Sequence, residues 1–144
     1  MSTAAAPAVT PEWLTATVRR GVPLAEVMGI EVLAAEGGWA TLRLPRSEVV
    51  LRPGDTVSGP AIMGLADVAF WAAWMGESEG KDSTLTAAMN VNFLRRTGPG
   101  PLIAEARVLK RGGTLVFGEV LIRAEDSDET AVHVTTTWAV MKPR

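Results

Sequence analysis

No cysteine occurs among the 144 residues. That excludes disulfides, thiolate metal ligands and a cysteine nucleophile. Histidine occurs once, as His133. A zinc site of the usual His/Cys kind draws on several such ligands, so it is excluded within one chain. A charge excess of one sign is missing too. The formal net charge is -2, and the clustered basic residues are the short pairs Arg95-Arg96 and Lys110-Arg111. This is no footprint for a nucleic acid. Nor is there a long apolar run. The most apolar stretch, Gly59 to Gly76, is short for a membrane span and has Asp67 at its centre, where a charge would cost about 2.5–3.5 kcal/mol on insertion scales. Met1 to Pro11 lacks a basic segment followed by an apolar core, so no secretory signal is read there and a cytoplasmic location is expected. The chemistry left is that of carboxylates, hydroxyls, backbone amides and arginines.

What is present is ordinary globular material, 47% hydrophobic and 21% charged. The length suits one domain with a substantial core. Residues 1–11 read as a disordered, Ala-rich tail and 12–144 as one domain. Pro11 to Arg20 reads as a short helix, with Glu12 in its first turn and Arg19-Arg20 in its last, stopped by Gly21 and Pro23. A strand pattern with a turn at Gly37-Gly38 covers Ile30 to Leu44. Pro60 to Met75 is apolar nearly all round, which predicts an enclosed helix. From Thr86 the period becomes two, through segments ending near Phe93, Lys110, Arg123 and Val140. Short turns between them predict a four-strand antiparallel meander. The economical packing is an α+β fold in which a curved sheet wraps one long helix.

Two segments carry a resemblance. Ser58-Gly59-Pro60-Ala61-Ile62-Met63-Gly64-Leu65-Ala66-Asp67 resembles the loop-and-helix motif of the PaaI-type acyl-CoA thioesterases, commonly His-Gly-Gly, six residues, then Asp or Glu. Asn90-Val91-Asn92-Phe93-Leu94-Arg95-Arg96 is similar to that family's strand motif, and Gly100 to Val108 resembles the segment after it. The similarity runs over about residues 20–142. It implies a hotdog fold, and a homodimer, often paired again into a tetramer, with its site at the subunit interface. It also implies an acyl-CoA substrate, with coenzyme A present only as part of that substrate and no other cofactor.

The residues can be weighed on their own chemistry first. Asp67 is a carboxylate among apolar neighbours, costly there unless paired, hydrogen-bonded or protonated, and such perturbed groups concentrate at functional sites. The resemblance implies that it is the catalytic acid residue, as general base on water or as nucleophile on the thioester carbonyl. Gly59 precedes the apolar helix, where unpaired N–H donors suit a developing oxyanion. The resemblance implies that role for its amide. Eight residues separate it from Asp67, about 12 Å of helical rise. Either the substrate bridges them or Gly59 lies in a loop folded toward the site. Thr86 matches a position at which relatives use a partner-subunit hydroxyl to hold the water. The alternative is a strand-face threonine.

Arg95, Arg96, Lys110 and Arg111 offer phosphate partners for coenzyme A or are simply solvated turn residues. Trp71 and Trp74 line an acyl pocket or pack in the core. His133 reads as structural. Three positions depart from the family pattern: Ser58 replaces its histidine, Pro60 removes an N–H, and Arg52 stands where relatives often carry Gln or Asn. Arg52 would lower the Asp67 pKa through a salt bridge or bind an anionic substrate. The leading reading is acyl-CoA hydrolysis through Asp67, Gly59 and Thr86, with Arg52, Ser58, Arg95, Arg96 and Arg111 on the substrate. The competing reading is a non-catalytic binder of acyl-CoA or another small ligand. A dehydratase-like hotdog enzyme ranks last, because its usual histidine is missing from this segment.

Overall fold

The computed structural model describes residues 9–81 and 83–142. The tail expected over residues 1–11 therefore lies largely outside the described residues. In its last three, Val9 packs on the core and the Thr10 hydroxyl caps the first helix by accepting from the Trp13 N–H.

That helix, α1 (Pro11–Gly21), is followed by α2 (Pro23–Met28), which ends on Gly29 in a left-handed conformation. Strands β1 (Glu31–Glu36) and β2 (Trp39–Leu44) form the expected hairpin. A small hairpin, β3 (Leu51–Arg52) with β4 (Thr56–Val57), then leads into α3 (Gly59–Glu77). Four strands complete the chain: β5 (Thr84–Phe93), β6 (Leu102–Arg111), β7 (Leu115–Ala124) and β8 (Val132–Val140). The six long strands make one antiparallel sheet in the order β1-β2-β6-β7-β8-β5. It curves around α3 in the hotdog arrangement.

The four-strand meander needs correction. Only β6-β7-β8 run as neighbours; β5 pairs with β8, and β6 pairs with β2. The link over residues 94–101 is too long for a tight hairpin, and the backbone N–H groups of Leu94 and Arg95 donate to the Ala131 carbonyl just before β8. The chain thus leaves β5 at one edge and enters β6 in the middle of the sheet. That order places β7 centrally, as its two apolar faces require.

The core lies between α3 and the concave face of the sheet. Leu42 and Leu44 on β2, Val116 and Val120 on β7, and Val132 and Val134 on β8 are all buried there. Helix and sheet fit tightly at Gly118. A Cβ on that residue would stand 2.0 Å from a ring carbon of Phe70 and 2.5 Å from the Arg107 carbonyl oxygen. Overpacking of this kind typically costs about 1–3 kcal/mol. Gly118→Ala is accordingly expected to lower the urea midpoint, and an unchanged midpoint would refute the close approach.

The two edges of the sheet are built differently. On β1 the Val32 N–H donates to the Thr15 hydroxyl at 3.0 Å, and Arg19 Nε of the same helix donates to the Ile30 carbonyl at 2.9 Å. Side chains of α1 therefore occupy backbone groups that would otherwise be open to a foreign strand. On β5 the Thr136 hydroxyl of the paired strand β8 donates to the Ala88 carbonyl at 3.0 Å. The ten-residue β5 contains neither a charge nor a proline, the usual devices that blunt an edge.

Candidate active site

Within α3, every residue between Ala61 and Met75 is buried except Met63, Gly64, Asp67 and Trp71. Gly59, Met63, Asp67 and Trp71 recur at intervals of four and so share one face of the helix. This face looks toward the open β5 side. The Asp67 carboxylate is half-buried in a cavity of about 240 Å³, together with Gly21, Val22, Val68, Trp71, Leu85, Thr86 and Trp138. The Thr86 hydroxyl donates to Asp67 Oδ1 at 2.8 Å. Both residues belong to the same chain, whereas the resemblance implies a hydroxyl from the partner. Burial pushes the Asp67 carboxyl above the usual carboxylate range, and the Thr86 bond opposes this only in part. The pair presents a carboxylate with one oxygen held and the other without a partner among the described residues, more basic than an exposed aspartate.

Gly59 opens a second groove, shared with Arg52, Thr56, Ile62, Phe93 and Arg96. Ser58 caps α3: its Oγ accepts from the Ala61 N–H at 3.4 Å, and its carbonyl accepts from the Ile62 N–H at 3.0 Å. Pro60 has no N–H. Gly59 is thus left with the one first-turn N–H that has no protein partner among the described residues. Arg52 lies in this groove rather than with Asp67. No ion pair joins the two, and the raised Asp67 pKa has the opposite sign to the shift a salt bridge would give. Within one chain, then, Arg52 does not depress the Asp67 carboxyl. The small β3–β4 hairpin carries Arg52 to the N-terminal end of α3, a helical rise of about 12 Å from Asp67.

A family model described as the thioesterase superfamily matches residues 54–131, more than half of the chain and spanning both motif segments. The chain belongs to the thioesterase superfamily. A solved structure of a candidate thioesterase from Silicibacter sp. TM1040 is 29% identical, with 92% of each chain covered and a TM-score of 0.81. A candidate esterase from Saccharolobus solfataricus is 24% identical over 117 residues, 81% of this chain and 82% of its own length. The E. coli PaaI protein from the phenylacetic acid degradation operon shares the fold, with a TM-score of 0.77, 20% identity, and 90% and 93% of the chains covered. Together these support thioester hydrolysis as the general chemistry.

In this thioesterase-superfamily chain the remaining cationic residues divide. Arg95 is committed to Glu129 at 2.6 Å and to the Thr130 carbonyl. Arg96 donates to the Gly54 carbonyl and so braces the turn between β3 and β4. Among the described residues, Arg52 Nε reaches only its neighbour's carbonyl, Pro53 O, at 3.3 Å. Arg111 lies at the other end of α3, 5.1 Å over the Trp74 ring and 3.7 Å from Glu77. It does not join the other arginines. Trp74 is a core residue, while Trp71 lines the Asp67 cavity.

His133 sits on the outer face of the sheet. Its Nε2 is 3.2 Å from Glu119, which also accepts from Arg107 at 2.8 Å. These bonds hold the Glu119 carboxyl below its ordinary range. A lowered carboxyl pKa adds stability above its unfolded value, and that stability is lost as pH falls through the folded value. Glu119→Gln is therefore expected to cost about 1 kcal/mol at neutral pH, with the difference from wild type shrinking in acid; equal loss at all pH values would count against it.

Among the described residues, no group of three or more His, Asp or Glu side chains converges as a metal cage would, and no helix is long and apolar enough to cross a membrane. Sequence reasoning missed Val22, Leu85 and Trp138 as cavity walls. They come from three separate elements, and nothing in their local patterns marks them.

Proposed function

We propose that this protein hydrolyses acyl-CoA thioesters in the manner of the PaaI-type enzymes. Asp67 acts as general base and the Gly59 N–H as oxyanion donor. The observation that carries this reading is the Asp67–Thr86 pair. It is a carboxylate whose basicity is raised by burial, with one oxygen anchored at 2.8 Å, facing a cavity. Water held against the free oxygen loses its proton to Asp67 while its oxygen bonds the thioester carbonyl carbon. The carbonyl oxygen becomes an oxyanion beside the unpartnered N–H at the positive end of α3. The carbonyl then re-forms, the carbon–sulfur bond breaks, and the thiol leaves with the proton.

The separation of Gly59 and Asp67 is met by a second copy of the chain. If two α3 helices lie antiparallel across a two-fold axis, residue 59 of one stands opposite residue 67 of the other when the axis passes residue 63. Met63 occupies that position and is 40% exposed. The unguarded β5 edge, with Phe93 53% exposed, would pair across the same axis. Each dimer then holds two sites, each built from Gly59 of one protomer and the Asp67–Thr86 pair of the other. Arg52, beside Gly59, meets the phosphates or another anionic part of the substrate. A soluble, cytoplasmic homodimer, with tetramers formed from it, fits this scheme, and coenzyme A enters only within the substrate.

The test is release of free thiol from a panel of acyl-CoA thioesters. Turnover of at least one member, lost in Asp67→Asn, is the expected result. Tight binding of a non-hydrolysable thioether analogue without turnover of any thioester would instead establish a non-catalytic binder.

A further inference from the structure

We propose that Trp71, seated over Gly21, is the floor of the acyl pocket and restricts the site to short, compact acyl groups. The inference rests on reading the Asp67 cavity as the acyl side of the site. That cavity measures about 240 Å³. At the roughly 30 Å³ that one water occupies in the liquid, this is the space of about eight waters, room for a short acyl group. Apart from Asp67, Thr84 and Thr86, its walls are apolar: Val22, Val68, Leu85 and two indoles, Trp71 and Trp138.

The two indoles are held differently. Trp138 is buried, its N–H donates to the Thr136 hydroxyl at 3.0 Å, and its ring lies 5.4 Å from that of Phe70 at 57°. It is a fixed wall. Trp71 stands four residues beyond Asp67, about 6 Å further along the same face of α3. An acyl group that passes the carboxylate therefore meets this indole next. What makes room for the ring is Gly21. A Cβ there would stand 2.6 Å from Cη2 and 3.2 Å from Cζ3 of Trp71. Gly21 is not among the residues with positive φ, so the backbone does not call for glycine. The space taken by the indole does.

The test is a length series from butanoyl to hexadecanoyl, read two ways: kcat/KM on the CoA thioesters and calorimetric Kd for the matching thioether analogues. Hydrophobic pockets discriminate modestly per methylene, so the wild type is expected to favour hexanoyl over dodecanoyl by roughly tenfold or more. Trp71→Ala is expected to move the optimum to longer chains. Gly21→Ala, a single methyl pressed against the ring, should displace the indole and alter the same ratio without removing it. A flat wild-type profile, or an unchanged profile in Trp71→Ala, overturns the proposal even if hydrolysis is confirmed. A short-chain preference in binding without turnover sustains it while hydrolysis falls. Absence of both turnover and binding removes both readings. If Trp71→Ala fails to fold, the Gly21→Ala profile decides.

Discussion

Asp67→Asn is expected to lower kcat by roughly 10²–10⁴-fold, the usual contribution of a positioned general base, while making the folded protein more stable at neutral pH. The two effects share one cause. Burial raises the Asp67 carboxyl pKa in the folded state, so the folded chain holds that proton more tightly than the unfolded chain. Ionisation therefore favours unfolding. The contribution of this group to stability is full below the unfolded carboxyl pKa and is lost as pH rises through the folded value. Asparagine does not ionise, keeps nearly the same shape, and can still hydrogen-bond Thr86. The variant should thus melt above wild type at neutral pH, and the gap should close on acidification. The wild-type rate should fall with acid at a higher pH than an ordinary aspartate would give. A structural carboxylate predicts the reverse, with activity and melting temperature falling together. A variant as active as wild type would sink the mechanism outright.

The parts of this picture that were legible in the sequence are those encoded by local period. An apolar segment with one carboxylate made α3 and Asp67 visible, and alternation made each long strand visible. Strand order was not. The alternation in Thr84 to Phe93 fixes which side chains share a face but says nothing of the neighbour, and β5 found β8 rather than β6. The β3–β4 hairpin has two residues per strand, too few to show any period. It is this hairpin that carries Arg52 to the Gly59 end of α3. Arg52 stands where relatives often carry Gln or Asn, but within one chain the helical rise separates it from Asp67. The cavity walls were hidden for a related reason: Val22, Leu85 and Trp138 reach Asp67 from a helix link and two strands. Ser58 illustrates the limit of motif matching, since its hydroxyl serves the helix cap where the family motif places a histidine.

Met63→Lys is expected to convert a dimer into monomers and to abolish most of the activity without unfolding the chain. Met63 lies on the α3 face that also carries Gly59 and Asp67, at the midpoint between them, so a two-fold axis that brings those residues together passes beside it. The single chain tolerates the change: the side chain is 40% exposed, and lysine is a good helix former. In the dimer the two lysines would face each other. Like charges about 4 Å apart at an effective dielectric near 20 repel by about 4 kcal/mol, which corresponds to roughly a thousandfold in the dissociation constant. Sedimentation should then show a dimer for wild type and a monomer for the variant, with unchanged far-ultraviolet circular dichroism. Because Gly59 and Asp67 of one chain are about 12 Å apart along α3, the monomer has each half of a site and no whole one, so its kcat/KM should fall at least as far as that of Asp67→Asn. A wild-type monomer with full activity would remove the shared site. A Met63→Lys dimer with wild-type activity would place the axis elsewhere on α3. Either result would leave the ten-residue, uncharged β5 edge as a surface whose partner is still to be found.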